Sequence, residues 1–199
     1  MRHLTATLCL TLAVLLGSAG MGWGADFQKG LDAVQRGDYT TALREWKPLA
    51  KQGVAFAQYN LGVMYANGQG VPQNYKTAVK WYTLAAKQGD ADAQFNLGLM
   101  YARGLGVPQD DKTAVKWYRL AAEQGIAFAQ GNLGVMYGIG RGVIQDNVYA
   151  HMWLNIAASQ GVKNATKNRD ILAKKMTPAD ISKAQRLAQK CVKKSYKWC

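Results

Sequence analysis

The stretch that decides the fold runs from Ala57 to Tyr75, AQYNLGVMYANGQGVPQNY, and it returns twice. AQFNLGLMYARGLGVPQDD begins at Ala93 and AQGNLGVMYGIGRGVIQDN begins at Ala129, so the phrase recurs every 36 residues. A fixed period of this length is typical of repeat proteins, in which each unit stacks on its neighbours. The sequence therefore predicts an array of similar structural units.

Each unit contains two stripes of apolar residues with helical spacing. The first stripe, in a segment that we call helix A, follows i, i+4, i+7 and i+8 in the first unit through Ala57, Leu61, Met64 and Tyr65. Gly68 predicts the end of helix A, because glycine readily adopts positive φ and a Gly-x-Gly-Val connector follows. The second stripe, in helix B, ends before Gly89 and consists of Ala78, Trp81, Tyr82, Ala85 and Ala86.

A glycine lies in the middle of every helix A, at Gly62, Gly98 and Gly134. A glycine in a helix interior costs about 1 kcal/mol relative to alanine, so its recurrence predicts the close approach of a neighbouring helix. The large side chains expected to fill the space between successive hairpins are Trp81, Trp117 and Trp153. Ligand stacking by the tryptophans is the alternative, and their regular spacing favours the core.

The full pattern, A-x-x-x-L-G-x-x-Y-x-x-G-x-G-V-x-x-(D/N)-x-x-x-A-x-x-W-x-x-x-A-A-x-x-G, resembles the Sel-1-like repeat family, a relative of the tetratricopeptide repeat. The match extends from about Val54 to Gly161. The third unit departs from it at Ile144, where the others have proline, and at Gly131, where they have an aromatic residue. The resemblance implies an all-α fold: a right-handed α-solenoid of antiparallel helix pairs with N- and C-terminal capping helices.

The flanking segments complete the predicted organisation. Residues 26–53 resemble a tetratricopeptide-like hairpin and are expected to cap the N-terminal end of the three repeats in residues 54–161. Residues 162–199 are expected to form basic C-terminal capping helices, one of which starts with Thr177 as N-cap and Pro178 in the first turn. Such caps shield the apolar faces of the terminal repeats.

Residues 1–24 have the pattern of a cleavable signal peptide. A basic start precedes the apolar run from Leu4 to Leu16, which is too short to span a bilayer stably, and small residues follow it. We expect cleavage after Gly24; cleavage after Ala19 and a retained membrane anchor are the alternatives. The protein is thus predicted to be periplasmic or secreted.

The positive charge is concentrated at the C-terminal end. The chain has a net charge of +13, and from Lys163 onward eleven basic residues face two acidic ones, a net +9. The candidate basic patch consists of Lys183, Arg186, Lys190, Lys193 and Lys194. It either contacts an anionic surface, such as lipid headgroups, cell-wall polymer or an acidic protein, or is only a solvated face. Export disfavours nucleic acid as a partner.

Removal of the signal peptide would leave two cysteines, Cys191 and Cys199. In an oxidising compartment we expect an intramolecular disulfide between them, with an intermolecular bridge or free thiols as the alternatives. Eight residues of straight helix rise about 12 Å, whereas a disulfide requires Cα atoms within about 7 Å. The last helix must therefore end between the two cysteines if they are bridged.

By resemblance to tetratricopeptide arrays, the face of helix A that is turned away from its apolar stripe lines a concave groove. The expected partner-binding residues are Tyr59, Asn60, Asn67, Phe95, Asn96, Arg103 and Asn132. The asparagines recur as a ladder of amides that can hydrogen-bond an extended peptide, or can instead satisfy neighbouring loop backbone and recognise nothing. Positions that vary between units, such as Asn67 and Arg103, are the stronger candidates for specificity.

Catalytic patterns are missing from the sequence. The mature chain has one histidine, His151, and neither a zinc-protease motif nor Ser-x-x-Lys occurs. Gly104-Leu105-Gly106 lacks the further residues of a phosphate-binding loop. Some cysteine-rich members of the family are associated with penicillin binding and β-lactamase activity, but these repeats lack paired cysteines. We expect no catalytic residue, no metal and no cofactor.

The favoured interpretation is an exported, non-catalytic scaffold that binds a partner protein or peptide in the helix A groove, in cell-envelope assembly or signalling. A cell-wall or anionic-surface binder that acts through the basic patch is the first alternative. A hydrolase of the β-lactamase or penicillin-binding type is the less favoured one.

Overall fold

A computed structural model describes residues 20–197 and residue 199. The described residues form ten α-helices and no strand, which confirms the predicted all-helical class. The helices are α1 (Gly20–Gln35), α2 (Tyr39–Lys51), α3 (Ala55–Asn67), α4 (Tyr75–Lys87), α5 (Ala91–Arg103), α6 (Asp111–Ala122), α7 (Ala127–Ile139), α8 (Asn147–Ser159), α9 (Lys163–Ala173) and α10 (Pro178–Lys193).

Consecutive helices pack against one another along the chain, as expected for a solenoid of helix pairs. The helices A are α3, α5 and α7, and the helices B are α4, α6 and α8. Every helix A ends at a left-handed glycine, as predicted: Gly68, Gly104 and Gly140. Every helix B starts with a side chain that accepts a backbone N–H three residues later, from Asn74, Asp110 or Asp146. Equivalent caps thus give the helices A the same bounds, and the helices B the same start, in all three units.

The glycine inside each helix A does admit a neighbouring helix at contact distance. A Cβ atom at position 98 would lie 2.7 Å from Cδ1 of Tyr118, and one at position 134 would lie 2.8 Å from Cγ of Leu154. Gly62 has the same relation to Tyr82. Any larger residue at these positions would displace the helix B side chain that packs there.

The side chain that lies on the glycine is Tyr82, Tyr118 or Leu154, and in no unit is it the tryptophan. Tyr82 and Tyr118 are each 2% exposed and lie on the glycine, whereas Trp81 and Trp117 are only half-buried. Adjacent residues point about 100° apart on a helix, so only one of the two neighbouring aromatic residues can face the glycine. Trp81 packs on the core formed by α1, α2 and α3, and Trp117 packs on that of α3, α4 and α5, so both lie between successive hairpins as predicted. Of the three repeat tryptophans only Trp153 is fully buried.

A relay of glutamine side chains joins each unit to the preceding one. Nε2 of Gln94, in α5, donates to the carbonyl of Ala86 at 3.1 Å, and Oε1 of Gln94 accepts from Nε2 of Gln124 at 2.8 Å. The same pair of bonds is made in the other units by Gln58 with Gln88 and by Gln130 with Gln160. Because Gln94 is 5% exposed, these bonds satisfy polar groups that water cannot reach.

The connectors add a second link between units. The Arg141 guanidinium, in the third connector, donates to both carboxylate oxygens of Asp111 at 2.7 and 2.9 Å, and to the carbonyl of Ala102 at 3.3 Å. The hydrogen bonds from Arg141 hold the pKa of Asp111 below its usual range. This bidentate pair fixes the third unit on the first turn of α6.

The terminal segments pack on the repeats. At the N-terminal end α1 packs against α2, which runs through Pro48, and α2 packs against α3. The predicted signal peptide lies mostly outside the described residues, although α1 begins at Gly20, before the expected cleavage position. Cleavage after Gly24 remains a prediction.

At the C-terminal end α9 and α10 both pack against α8. Thr177 caps α10 as predicted, because its side chain accepts the N–H of Asp180. The position of α10 explains a difference in burial: Ile156 is 2% exposed, whereas its equivalents Leu84 and Leu120 are 45% and 37% exposed. Ile156 shares its core cluster with Ala188 and Cys191 of α10.

Candidate functional site

Two faces of helix A differ in burial, as the sequence predicts. In the first unit Ala57, Leu61 and Met64 are at most 2% exposed. The other side, which we call the helix A face, is half-buried or exposed in all units except at Gly131. Its residues are Phe56, Tyr59, Asn60, Val63 and Asn67 in α3, then Asp92, Phe95, Asn96, Leu99 and Arg103 in α5, then Phe128, Gly131, Asn132, Val135 and Ile139 in α7.

The aromatic residues of the helix A face pack along the array. The Tyr59 ring centre lies 6.1 Å from that of Tyr82, and the Phe95 ring centre lies 6.1 Å from Tyr118 and 6.3 Å from Phe128. Burial is the main cause that raises the pKa of Tyr59, with Asp92 and Asp90 adding to it. The Tyr59 hydroxyl therefore stays protonated at neutral pH. Tyr59 and Phe95 are half-buried, so part of their surface is already used inside the protein.

The three asparagines occupy equivalent, half-buried positions on successive helices A. Nδ2 of Asn60 donates to the carbonyl of Phe56 at 2.8 Å, and Nδ2 of Asn96 donates to that of Asp92 at 3.0 Å. These two donors are thus engaged one turn back in their own helices, and not by the loop backbone that the alternative interpretation of the ladder expects. The amide oxygens can act as acceptors, and Asn96 lies close enough to the Tyr59 hydroxyl to lower its pKa against the effect of burial.

The ends of the helices A carry the variable side chains. At the N-terminal ends Phe56 is 45% exposed, Phe128 is 63% exposed, and Asp92 lies between them. At the C-terminal ends Asn67 and Arg103 are exposed, and Ile139 is 59% exposed. Along the array, one end of the helices A therefore presents an aromatic, an acidic and an aromatic side chain. The other end presents a polar, a basic and an aliphatic one.

The helix A face continues into α9, which the sequence reasoning missed. A further step of 36 residues from Ala129, Asn132 and Val135 leads to Ala165, Asn168 and Ile171. Ala165 is 2% exposed and packs in one core cluster with Leu154 and Ala157, as a fourth helix A would. The signal was the preserved alanine and asparagine; Arg169 and Asp170 replace the leucine and glycine of the repeat and conceal it.

The five residues of the basic patch all lie exposed on α10 or at its C-cap. Their spacing places them on one stripe that covers on the order of 100° of the helix. None of the five forms an ion pair within the described part of the chain. The opposite part of α10 is buried through Ala184, Ala188 and Cys191.

The end of α10 is closed by the two cysteines. Cys191 and Cys199 are paired in a disulfide, with Cα atoms 5.4 Å apart, and the helix ends at Lys193 between them. Within this loop Ser195 and Tyr196 have positive φ values of 50° and 66°. The Tyr196 ring packs over the turn at Gly125, between α6 and α7. The disulfide loop therefore anchors the C-terminal end to the repeats.

The described residues hold no cluster of three or more His, Cys, Asp or Glu side chains that could bind a metal ion. His151 lies in the core, 3% exposed, and its Nδ1 has no hydrogen-bond partner. In the part of the chain that the structure describes, none of the helices has the length and apolar character needed to cross a membrane.

The sequence pattern of the Sel1 repeat matches residues 55–90, 91–126 and 127–162. The solved Sel1 repeat protein from Oxalobacter formigenes is 35% identical with a TM-score of 0.69, over 73% of this chain and 58% of that protein. A protective antigen present in uropathogenic Escherichia coli strains, which displays an SLR fold, is 31% identical with a TM-score of 0.55. That match covers 90% of this chain and 48% of the antigen. Comparison with curated protein sequences gave no match.

This chain spans about half the length of the two solved relatives, 58% and 48%. The three matched repeats make up more than half of its 199 residues. Sel1 repeat proteins generally mediate protein–protein interactions, and their repeats generally form a non-catalytic scaffold. With three consecutive repeats and solved relatives of the same fold, the chain belongs to the Sel1 repeat family.

Proposed function

We propose that this protein is a non-catalytic scaffold that binds a partner protein or peptide along the helix A face. The observation that carries the proposal is the set of large apolar side chains left open there, Phe56, Phe128 and Ile139, which are 45%, 63% and 59% exposed. Exposed apolar side chains that line up on one surface are typical of interaction sites. The neighbouring Arg103 supplies a donor for a carboxylate, and the asparagine oxygens supply acceptors.

The sharpest test uses the exposed side chains of the face, Phe56 and Phe128, rather than its half-buried ones. Tyr59 and Phe95 pack against Tyr82 and Tyr118, so their removal would disturb the fold as well as the face. Phe56→Asp with Phe128→Asp changes exposed positions instead. We expect this double variant to capture the partner from an envelope fraction about tenfold less well than the wild type, because interface aromatics carry much of the binding energy.

The matched control is Leu84→Asp with Leu120→Asp, a pair of similarly exposed apolar residues on the helices B. Capture followed by mass spectrometry should give the same partner for the control and the wild type. Unchanged capture by the Phe56/Phe128 variant, with loss in the Leu84/Leu120 variant, would place the interaction on the other side of the array.

The proposed site of action is the cell envelope, in its assembly or in signalling, which requires export. The support is the sequence of residues 1–24 described above. N-terminal sequencing of the protein recovered from the periplasmic fraction or the medium should give Ala25 as the first residue. A chain that still starts at Met1 in the cytoplasmic fraction would contradict export.

The basic patch is a second candidate site, and the observation in its favour is its stripe of five exposed cations that form no ion pair within the described residues. We propose that it can hold the scaffold against an anionic surface. Lys190→Glu, Lys193→Glu and Lys194→Glu together should abolish sedimentation with phosphatidylglycerol vesicles, and added salt should weaken binding of the wild type. Equal sedimentation with phosphatidylcholine vesicles would exclude a charge-based contact.

A further inference from the structure

A cleft opens on the helix A face between α7 and α9. It has a volume of about 220 Å³, and its lining includes Gly138, Leu154 and Ile171. Two replacements in the third unit create it: Gly138 stands where the other units have Ala66 and Ala102, and Leu154 stands where they have Tyr82 and Tyr118. The third unit therefore lacks the side-chain volume that fills the equivalent space in the first two.

The rim of the cleft is apolar and lies open to solvent. Ile139 from α7 is 59% exposed and Ile171 from α9 is 48% exposed, and both line the cleft. Isoleucine side chains this exposed around a concave surface lose unfavourable contact with water when an apolar group covers them. The volume is about seven times the ~30 Å³ share of one water molecule, which is enough for a branched aliphatic side chain.

Charges flank this apolar centre on both sides. Steps of 36 residues lead from Asn67 to Arg103, Ile139 and Lys175, the last in the turn after α9, so in the repeat register Ile139 stands between two cations. Lys175 lines the cleft itself. The nearest acid on α9, Asp170, is already held by the Arg169 guanidinium at 2.8 Å. The C-terminal end of the helix A face is therefore positive around an apolar cleft.

We propose that this cleft seats one branched aliphatic side chain of an acidic partner segment, whose carboxylates pair with Arg103 and Lys175. The inference rests on the proposed function, since it names the kind of segment that the helix A face accepts. Asn168, in the asparagine ladder, lines the same cleft and can hydrogen-bond the backbone of that segment. A basic segment would meet like charges on both sides, and a small side chain would leave the cleft unfilled.

The test uses the full mature chain with ¹³C-labelled isoleucine methyl groups and three synthetic probes. The probes are acetyl-Glu-Leu-Glu-amide, acetyl-Glu-Ala-Glu-amide and acetyl-Lys-Leu-Lys-amide. The first probe should shift the methyl signals of Ile139 and Ile171 and leave Ile144, which is 91% exposed on a connector outside the cleft, unchanged. Its affinity should exceed that of either other probe by about tenfold.

Three variants and a charge control separate the apolar and the charged contributions. Gly138→Leu should abolish the shifts by filling the cleft, and Gly138→Ala should weaken them while leaving the fold intact, because its Cβ would lie 3.6 Å from Cβ of Ala150, an ordinary contact distance. Lys175→Glu should reduce the affinity of the acidic leucine probe about tenfold. Lys112→Glu, at an exposed site of α6, is the charge control and should change nothing.

Unshifted Ile139 and Ile171 signals with the acidic leucine probe would overturn the inference, as would equal affinity for the alanine or the lysine probe. The outcome is distinguishable from failure of the proposed function. Phe128 lies 11 residues from Ile139 on α7, about 16 Å along the helix. Partner capture that is lost in the Phe56/Phe128 variant but retained in Gly138→Leu and Lys175→Glu would leave the helix A face standing and reject the cleft.

Discussion

At the scale of single residues, the glycine in the middle of each helix A leaves too little room for an added methyl group. Gly98→Ala should lower the free energy of unfolding by about 1 to 2 kcal/mol, because the new Cβ would lie 2.7 Å from the Tyr118 ring and 3.3 Å from the carbonyl of Ala114. Gly138→Ala is the matched control in the same type of helix. It should be neutral or stabilising by up to about 1 kcal/mol, since only Ala150 lies near. Urea unfolding measures both; equal effects would show that the glycines do not act through close packing.

His151 gives the second prediction at this scale. Burial is the main cause that lowers the pKa of His151. Arg169 lowers this pKa further, and Asp170 raises it. Because the unfolded chain takes up a proton at about pH 6.5 and the folded chain only at lower pH, the free energy of unfolding should decrease as pH falls below about 6.5. Below the folded-state pKa this contribution levels off.

The matched variant for this pH dependence is His151→Val, since Val79 and Val115 are the equivalent residues in the other units. Thermal unfolding measured between pH 5 and 8 should depend less on pH in this variant than in the wild type, and the variant should be the more stable of the two at pH 5. If acidification made the wild-type protein more stable relative to His151→Val, the pKa of His151 would not be lowered in the folded protein.

The residue scale also shows what could be predicted from sequence. The stripe of Ala57, Leu61 and Met64 and the role of Gly62 followed from spacing alone. The choice between Trp81 and Tyr82 did not, since both belong to the same stripe and only the packed neighbour selects one of them. The glutamine relay through Gln94 was missed because a single sequence does not show which polar residue in a helix is buried.

At the scale of elements, the disulfide loop holds the last helix in place. Cys199→Ser should lower the free energy of unfolding by about 2 to 3 kcal/mol, because a closed loop of nine residues restricts the unfolded chain. Tyr196 should also leave its position over Gly125, since its positive φ depends on that loop. Hydrogen exchange of α10 in oxidised and reduced protein measures the effect. Equal protection in both states would show that packing of Ala184 and Ala188 alone fixes the helix.

The elements beyond the third repeat were predicted only in part. The start of α10 at Thr177 and Pro178 followed from capping chemistry, but its packing on α8 depends on contacts that no local pattern encodes. The assignment of α9 as a fourth helix A needed the burial of Ala165 and its place beside Leu154 and Ala157. For this reason the site residues expected from the sequence stop at Asn132, whereas the face continues to Asn168.

At the scale of the whole molecule, the helices A and B are used differently. On the helices B, Leu84 and Leu120 are exposed in the first two units and α10 covers the equivalent Ile156 in the third, whereas the helices A share one face that ends in a cleft. The array thus has a surface whose side chains come from four alternate helices, α3, α5, α7 and α9, which start 36 residues apart. Such a surface suits an extended segment better than a single compact ligand.

The most direct test is site-specific photo-crosslinking in the envelope with benzoylphenylalanine at three exposed positions: Ile139 on the helix A face, Leu120 on helix B and Lys190 in the basic patch. Our account predicts that position 139 forms a discrete adduct with a partner protein and that positions 120 and 190 do not form the same adduct. An adduct of that partner at position 120 or 190, with none at position 139, would contradict binding along the helix A face.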